Sequence, residues 1–370
     1  MHYSDKHQKH ARSTIHISRR TISERFPKMQ ICHTPSKSLI NMETFAPLIL
    51  LKALWQLKVK NRPIILSHGI NSKCNLRCKF CPYWKEDRGE MSREEVLSLL
   101  EEARSLGIMF YNAWTTEPLL RKDLPEILGY AHHLGMMTSL VTNGVLLKKR
   151  AKELSDLDYL SVSVDGTESY EEMRGVKLDK VLDGIKRARD MGITTLINCV
   201  ISRKNLDEIE ELIYLAQELG VWISFEPLHE YEEISQEVWE DIGIRDMGKY
   251  EKTIDRIIEL KEEGCPIIHS KTYLRMIKNL SPDFRCHASD IVLDVTSDGR
   301  IENCRVYRES MGDIKDGLGN TWRSSKARRK KISMECKGCL FFGHAELSLL
   351  YSLKPEAILN SIRTLNGIRR

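Results

Sequence analysis

The sequence lacks the apolar segments that secreted and membrane-spanning proteins need. Its N-terminus has no apolar stretch of the secretory type. The apolar run FAPLILLKALWQL, residues 45–57, is too short and too interrupted by Lys52 to span a bilayer. We therefore expect a cytoplasmic protein. We interpret 45–57 as a helix that covers one end of the fold, with contact to a membrane surface as the less favoured interpretation.

The chain also lacks an overall excess of charge. Its formal net charge is +5, but residues 1–41 hold eight Lys or Arg against two acids, so the remainder has 49 basic and 50 acidic residues. This balance gives no sign of a nucleic-acid-binding surface. We expect 1–41 to be a basic, disordered tail. A targeting peptide, a basic arm and a start codon assigned too early all fit its composition.

Ten cysteines in a chain without a secretory signal indicate metal binding rather than a disulfide scaffold. Three lie in CNLRCKFC, residues 74–81, and four lie late, at Cys286, Cys304, Cys336 and Cys339. The first set lacks a fourth ligand, because the residues after Cys81, PYWKEDRGEM, include neither cysteine nor histidine. Tetrahedral iron and zinc sites usually have four protein ligands. From the residues alone, part of a zinc site remains an alternative here.

The middle of the chain alternates strand-like and helical patterns. The strand-like runs are residues 64–70, 108–114, 136–142, 158–164, 194–201 and 221–227. Several helical patterns stop at glycine, at Gly107, Gly135, Gly192 and Gly220. Such repeats predict a parallel sheet, either an open doubly wound sheet or an incomplete barrel. Polar residues follow the first four strands, and in parallel α/β folds the C-terminal strand ends carry the site.

Cys74, Cys78 and Cys81, with Phe80 before the last of them, have the C-x3-C-x2-C spacing and the aromatic residue of a known motif. This segment resembles radical S-adenosylmethionine (SAM) enzymes. The resemblance implies a 4Fe-4S cluster in which three cysteines bind three irons and SAM binds the fourth. Electron transfer into bound SAM then yields a 5′-deoxyadenosyl radical. It also implies a partial (β/α)6 barrel, which with a leading helix we assign to 42–228, and a reductant such as ferredoxin or flavodoxin.

The same resemblance implies a set of SAM-contacting residues. They are Phe80, Thr115, Thr116, Glu117, Asn143, Ser163, Arg174 and Asn198. Thr115, Thr116 and Glu117 stand where the family has a Gly-Gly-Glu segment that binds the SAM amino group. Ser163 matches a serine that reaches the ribose, and Arg174 matches an arginine near the SAM carboxylate.

The late cysteines form a second set. The stretch from Cys286 to Cys304 predicts a β-hairpin around a Ser-Asp-Gly turn, with one thiolate at each end. A helix near TWRSSKARRKK then leads to CKGC at 336–339. Four thiolates suit zinc or iron. The layout resembles the twitch domain, a shortened SPASM domain, which implies an auxiliary 4Fe-4S cluster in a small α+β domain, 286–370, behind a helical bridge at 229–285.

These patterns together predict a radical SAM enzyme that abstracts hydrogen from an unidentified substrate, either a peptide, a cofactor precursor, a sugar or a lipid. The auxiliary cluster would assist a net oxidation. Two alternatives remain open. One is a radical SAM methyltransferase or rearrangement enzyme, and the other is a two-cluster electron-transfer protein without SAM chemistry.

Overall fold

A computed structural model describes residues 45–86, 88–336 and 338–368 of the chain. Its strands are β1 Ile65–Gly69, β2 Phe110–Trp114, β3 Met137–Thr142, β4 Tyr159–Ser163, β5 Thr194–Ile201, β6 Trp222–Pro227, β7 Val292–Val295, β8 Arg300–Glu302 and β9 Ser310–Asp313. Its α-helices are α1 Phe45–Leu54, α2 Arg93–Leu106, α3 Leu124–His133, α4 Leu147–Arg150, α5 Tyr170–Arg174, α6 Asp179–Asp190, α7 Ile209–Leu219, α8 Gln236–Ile242, α9 Met247–Glu262, α10 Lys271–Lys278, α11 Ala288–Ile291, α12 Leu318–Ser324, α13 Lys326–Glu335, α14 Phe342–Tyr351 and α15 Pro355–Ile368.

The strands form one sheet in the order β6-β5-β4-β3-β2-β1-β7-β8-β9. Strands β1 to β6 pair in parallel with their neighbours, so each predicted strand-like run contains one strand of the expected sheet. Trp114 of β2 and Glu226 of β6 line the same pocket. Four strand spacings would separate them by about 19 Å in a flat sheet. The sheet is therefore curled into the predicted incomplete barrel.

Alternating side chains explain how each strand serves two surfaces. In β5 the residues Ile197, Cys199 and Ile201 are fully buried on the helix side of the sheet. Asn198 and Val200, on the opposite face, line the pocket inside the barrel. The strands therefore supply both the apolar core and the polar lining of the lumen.

The predicted glycine stops are present at the ends of helical segments. The backbone φ angles are 95° at Gly107, 76° at Gly135, 81° at Gly192 and 66° at Gly220. These left-handed conformations favour glycine because it has no Cβ.

The helix predicted at 45–57 packs against one end of the barrel. It is formed by α1 and a π-helical turn, Trp55–Val59. Ala53 and Leu57 contact Ile64, Ile291 and Val292, at the N-terminal ends of β1 and β7. No helix within the described residues is long and apolar enough to cross a membrane.

The C-terminal part of the chain joins the barrel more closely than the sequence indicates. Residues 229–285 contain α8, α9 and α10, as expected of a helical segment. The predicted hairpin is present, because β7 and β8 pair antiparallel. Strand β7, however, also pairs in parallel with β1, so the hairpin extends the barrel sheet. The tail predicted at 1–41 lies outside the described residues.

Candidate active site

One pocket opens at the C-terminal ends of the barrel strands. It leaves about 1060 Å³ of space between protein atoms, including the part open to solvent. The predicted residues on its wall are Cys74, Cys78, Phe80, Cys81, Thr115, Thr116, Asn143, Ser163, Arg174 and Asn198. The structure thus brings together residues that are more than a hundred positions apart in the sequence. Of the residues predicted to contact SAM, Glu117 alone does not line this pocket.

The loop after β1 carries the first three cysteines. Burial raises the pKa of the thiols of Cys74, Cys78 and Cys81, that of Cys81 to about 11. The charges of Cys74 and Cys78 add to the effect on Cys81, so the three sulfurs lie within electrostatic reach of one another. The backbone N–H of Leu76 donates to the sulfur of Cys74 at 3.4 Å. Buried thiols that repel each other need a cation to ionise, and a metal cluster supplies one.

Glu117 lies beneath the pocket, and its carboxylate is occupied by protein donors. It accepts hydrogen bonds from the Thr142 hydroxyl at 2.6 Å, the Asn143 N–H at 2.7 Å and the Leu119 N–H at 3.0 Å. Its side chain is fully buried, and burial raises its pKa to about 6. The contact of Glu117 with SAM stays a prediction. Glu117 also positions Asn143, because its carboxylate accepts the backbone N–H of that residue.

Asn143 in turn holds the cysteine loop. Its side-chain amide donates to the Asn75 side chain at 2.8 Å and points to the Cys74 sulfur at 3.9 Å. Its side-chain oxygen accepts the Val145 N–H at 3.0 Å. The end of β3 is thereby tied to the loop that follows β1.

Thr115 and Thr116 occupy backbone conformations that usually require glycine. Their φ angles are 78° and 46°. The Thr116 hydroxyl donates to the Asn71 side chain at 2.7 Å, whereas the buried Thr115 hydroxyl has no hydrogen-bond partner among the described residues. The backbone therefore keeps a left-handed shape at the places that match the family's two glycines, and strain of this kind is common at functional sites.

Arg174 is held between a carboxylate and the cysteine loop. Its Nε donates to Asp165 at 2.6 Å, and its Nη1 lies 3.8 Å from the Cys78 sulfur. Its guanidinium carbon is 5.3 Å from the centre of the Phe80 ring. Burial is the largest single influence and would lower the pKa of Arg174, but the charges of Asp165, Cys78 and Tyr170 and the hydrogen bond to Asp165 together outweigh it, so the pKa is raised. Arg174 therefore remains positively charged beside Cys78.

Ser163 and Asn198 lie on the opposite wall of the pocket. The Asn198 amide donates to Glu226 at 3.3 Å, and its oxygen accepts from the Ser224 hydroxyl at 2.8 Å. Ser163 is the residue of β4 paired with Asn198 of β5. Together these groups form a polar stripe across three neighbouring strands.

The late cysteines converge outside this pocket, whose wall includes their chain neighbours Arg305 and Phe341. The charges of Cys286, Cys304 and Cys336 all raise the pKa of Cys339, although burial is the larger cause, and the result is about 12. Backbone N–H groups of Tyr307 and Gly338 donate to the sulfurs of Cys304 and Cys336 at 3.2 and 3.4 Å. The four thiols therefore form a second group.

The two cysteine groups suit iron-sulfur clusters better than single metal ions. No three His, Cys, Asp or Glu side chains within 45–86, 88–336 and 338–368 lie close enough together to hold one metal ion. An iron-sulfur cluster is larger than one ion and is bound by thiolates that stand farther apart. Buried thiols that raise one another's pKa and accept backbone N–H bonds fit such a cluster.

Comparison with known proteins identifies the family. The family model described as "Radical SAM superfamily" matches residues 70–216. A probable GTP 3′,8-cyclase of Saccharolobus solfataricus is 30% identical over 270 residues, which cover 69% of this chain and 85% of that protein. The chain belongs to the radical SAM superfamily. Members of this superfamily use a 4Fe-4S cluster and SAM, so these are its cofactors.

Other similarities extend the comparison. An Fe-coproporphyrin III synthase of Methanosarcina barkeri is 30% identical over 227 residues, which cover 58% of this radical SAM protein and 56% of that one. Among solved structures, Streptococcus suis SuiB bound to S-adenosylmethionine has a TM-score of 0.60 at 18% identity, covering 71% of this chain and 66% of that chain. A structure of anSMEcpe with bound AdoMet and a peptide has a TM-score of 0.60 at 18% identity, and the match covers 83% of this chain and 98% of that chain. These structures confirm the partial-barrel fold.

Several residues on the pocket wall were not predicted from the sequence. They are Tyr83, Trp84, Trp114, Glu226, His229, Tyr231, Arg305 and Phe341. A local signal existed for three of them, because Trp114 precedes Thr115, Arg305 follows Cys304 and Phe341 follows Cys339 by two positions. Asp165, which binds Arg174, was visible only as a polar residue after a strand.

Proposed function

We propose that this radical SAM protein oxidises an organic substrate that lies between two iron-sulfur clusters. The first site is formed by Cys74, Cys78 and Cys81, and an auxiliary 4Fe-4S cluster is held by Cys286, Cys304, Cys336 and Cys339. One observation supports the arrangement above all others. Arg305 and Phe341, which neighbour the auxiliary cysteines Cys304 and Cys339, form part of the wall of the pocket that contains the first cysteine set.

The cofactors supply the redox chemistry, and the protein holds the cofactors and the substrate in place. When bound, the reduced cluster and SAM supply a radical that abstracts hydrogen, and the auxiliary cluster supplies an electron acceptor. The protein keeps the cysteine loop in place through Asn143 and Arg174, each of which reaches a cysteine sulfur. Ser163 and Asn198 present polar groups to a ligand on the far wall.

The pocket also protects a reactive intermediate from water. Tyr83 packs edge-on against Trp114, with ring centres 5.6 Å apart, and against Tyr231 at 6.3 Å. These rings, with Phe341 and Trp84, make an aromatic wall beside the cysteine loop. A dry, rigid wall suppresses side reactions of a radical. The proposed electron source is a small redox protein such as ferredoxin or flavodoxin.

The test is anaerobic reconstitution with iron and sulfide, followed by reduction with dithionite and addition of SAM. We expect 5′-deoxyadenosine and about eight irons per chain, as two 4Fe-4S clusters require. A Cys74→Ala, Cys78→Ala, Cys81→Ala variant should lose SAM cleavage and keep about four irons. A Cys199→Ala variant is the matched control, because Cys199 is buried in β5 outside both sets.

The outcomes separate the alternatives. Cleavage that persists in the triple variant would rule out the proposed role of the first cysteine set. A wild-type protein that carries both clusters but neither binds nor cleaves SAM would indicate an electron carrier. If the late cysteines bind zinc instead of four irons, the proposed auxiliary 4Fe-4S cluster is wrong.

A further inference from the structure

Arg305 has an unusual position in the pocket. Its guanidinium carbon lies 3.9 Å from the centre of a Trp114 ring and 4.6 Å from the centre of the Phe341 ring. Aromatic contacts of this kind hold a guanidinium in place by cation–π attraction while leaving its N–H edges to hydrogen-bond. One edge donates from Nη2 to the Ser67 hydroxyl at 3.2 Å, and Nε has no partner among the described residues. We call Trp114, Arg305 and Phe341 the arginine subsite.

A second pocket shares Tyr83, Trp114 and Arg305 with the first. The other arginines that line the two pockets are paired with acids. Arg88 lies 2.7 Å from Glu86, Arg174 lies 2.6 Å from Asp165, and Arg308 lies 2.7 Å from Glu86. Arg305 forms no such ion pair within the described part of the chain. Its charge is thus available to a ligand.

Asp294 carries a buried carboxyl group whose charge interacts with that of Arg305. Asp294 of β7 is fully buried and pairs in register with Ser67 of β1, the residue that accepts from Arg305. Burial raises the pKa of Asp294, although the positive charge of Arg305 opposes this. Neither carboxyl oxygen of Asp294 has a hydrogen-bond partner among the described residues, so Asp294 does not pair with the Arg305 guanidinium.

Further N–H donors of the pocket are also unsatisfied. The indole nitrogens of Trp84 and Trp114 are buried and have no hydrogen-bond partner among the described residues. An indole nitrogen can only donate. Leaving a buried donor unpaired is unfavourable, so groups of this kind call for a ligand that brings acceptors.

We propose that the arginine subsite binds a carboxylate or phosphate group of the substrate, whose body is flat and apolar. Arg305 donates its free edge to the anionic group, and the neighbouring indole N–H of Trp114 adds a second donor. The aromatic wall of Tyr83, Trp84 and Tyr231 packs against the flat body. This inference rests on the proposed function, because it takes the pocket as the place of the radical reaction and assigns Arg305 and its aromatic neighbours to the substrate.

The test uses matched aromatic probes that differ in charge. The reconstituted protein with SAM bound is dialysed anaerobically to equilibrium against radiolabelled benzoate, phenyl phosphate or benzamide, where benzamide is the neutral match of benzoate. We expect benzoate or phenyl phosphate to bind at least about 10-fold more tightly than benzamide, since charge-assisted hydrogen bonds are stronger than neutral ones. The tighter of the two anions then identifies the group.

Variants decide whether Arg305 is responsible. Arg305→Gln should bind all three probes with equal, weak affinity, and Arg305→Lys should recover part of the preference for the anions. Arg308→Gln is the control and should keep the full preference, because Arg308 is already paired with Glu86 and Glu233. Equal binding of benzoate, phenyl phosphate and benzamide to the wild type, or a preference that survives in Arg305→Gln, would overturn the proposal.

Two further measurements keep this result separate from the proposed function. The iron content of Arg305→Gln shows whether both clusters remain. Formation of 5′-deoxyadenosine by the same preparations tests the radical chemistry independently. An anion preference without SAM cleavage would sink the proposed function and support the subsite alone.

Discussion

Thr115 and Thr116 replace the two glycines of the family pattern, yet the backbone keeps the left-handed conformation that glycine favours. Both are β-branched, and both have positive φ at the end of β2. A left-handed conformation costs a residue other than glycine about 1–2 kcal/mol. The Thr115 hydroxyl gains no hydrogen bond within the described residues to offset this cost, whereas Thr116 binds Asn71.

Thr115→Gly should therefore stabilise the protein. Relief of the backbone strain outweighs the extra flexibility of glycine in the unfolded chain, and we expect a gain of about 0.5–1 kcal/mol in the free energy of unfolding. Urea titration of the apoprotein measures it. Thr116→Gly is the control and should gain less, because it loses the bonds to Asn71. A less stable Thr115→Gly would show that this side chain has a packing role.

Glu117 gives a pH dependence whose sign can be worked out. Burial raises its folded-state pKa from 4.5 to about 6. The folded protein thus binds this proton more tightly than the unfolded chain does, so its stabilising contribution is full below pH 4.5 and is lost as pH rises through about 6. The shift corresponds to about 2 kcal/mol.

The measurement compares wild type with Glu117→Gln, which cannot titrate. Urea unfolding at pH 4.5 and 6.5 should show that the stability advantage of the wild type shrinks by up to about 2 kcal/mol as pH rises. An advantage that grows with pH would mean that the three donors to this carboxylate outweigh burial and hold the pKa below its usual value.

At the scale of elements, the turn after β3 joins a strand, a helix and the cysteine loop. Gly144 has a φ of 79°, and a Cβ there would lie 2.6 Å from a Val181 methyl and 2.8 Å from a Val162 methyl. Val162 belongs to β4 and Val181 to α6. The turn is therefore closed in by the next strand–helix unit.

Gly144→Ala should destabilise the protein more than Gly175→Ala. Both glycines have positive φ, but a Cβ at Gly175 would have no atom within 4 Å. We expect about 1–2 kcal/mol of strain at Gly175 and about 2–5 kcal/mol at Gly144, where overpacking adds to strain. Urea unfolding of the two variants tests the difference. Equal losses would show that β4 and α6 can move apart without cost.

The six barrel strands and the glycine-ended helical segments could be predicted because their signals are local. Apolar runs, helical spacing and terminal glycines lie within each element. The pairing of β7 with β1 could not be predicted. The two strands are more than two hundred positions apart, and the residues of a strand do not specify which other strand pairs with it. Which strand pairs with a sheet edge is decided only when the sheet assembles.

For the whole molecule, this pairing makes the C-terminal part a structural portion of the barrel. Strand β1 is an interior strand because β7 covers its free edge. Ile291 and Val292 complete the apolar cluster that contains Ala53 and Leu57. Loss of β7 would expose both an unpaired edge and an apolar face, and exposed edges promote aggregation.

A chain that ends at residue 285 should therefore aggregate or lose its cooperative unfolding. Size-exclusion chromatography and a thermal melt measure the two effects. A chain that ends at residue 354 is the control, because it lacks α15 but keeps the nine-stranded sheet, and it should remain monodisperse with a lower Tm. A monodisperse 285-residue chain with an unchanged Tm would show that the barrel is independent of β7.

The sequence by itself determined the features that depend on near neighbours. The spacing of Cys74, Cys78 and Cys81, the alternation of strands and helices, and the hairpin between Cys286 and Cys304 are all of this kind. Only the tertiary structure decided that Glu117 lies beneath the pocket and that Arg305 meets Trp114 and Phe341. Those contacts join distant segments, and their energy depends on burial and partner geometry that exist only after the barrel has closed.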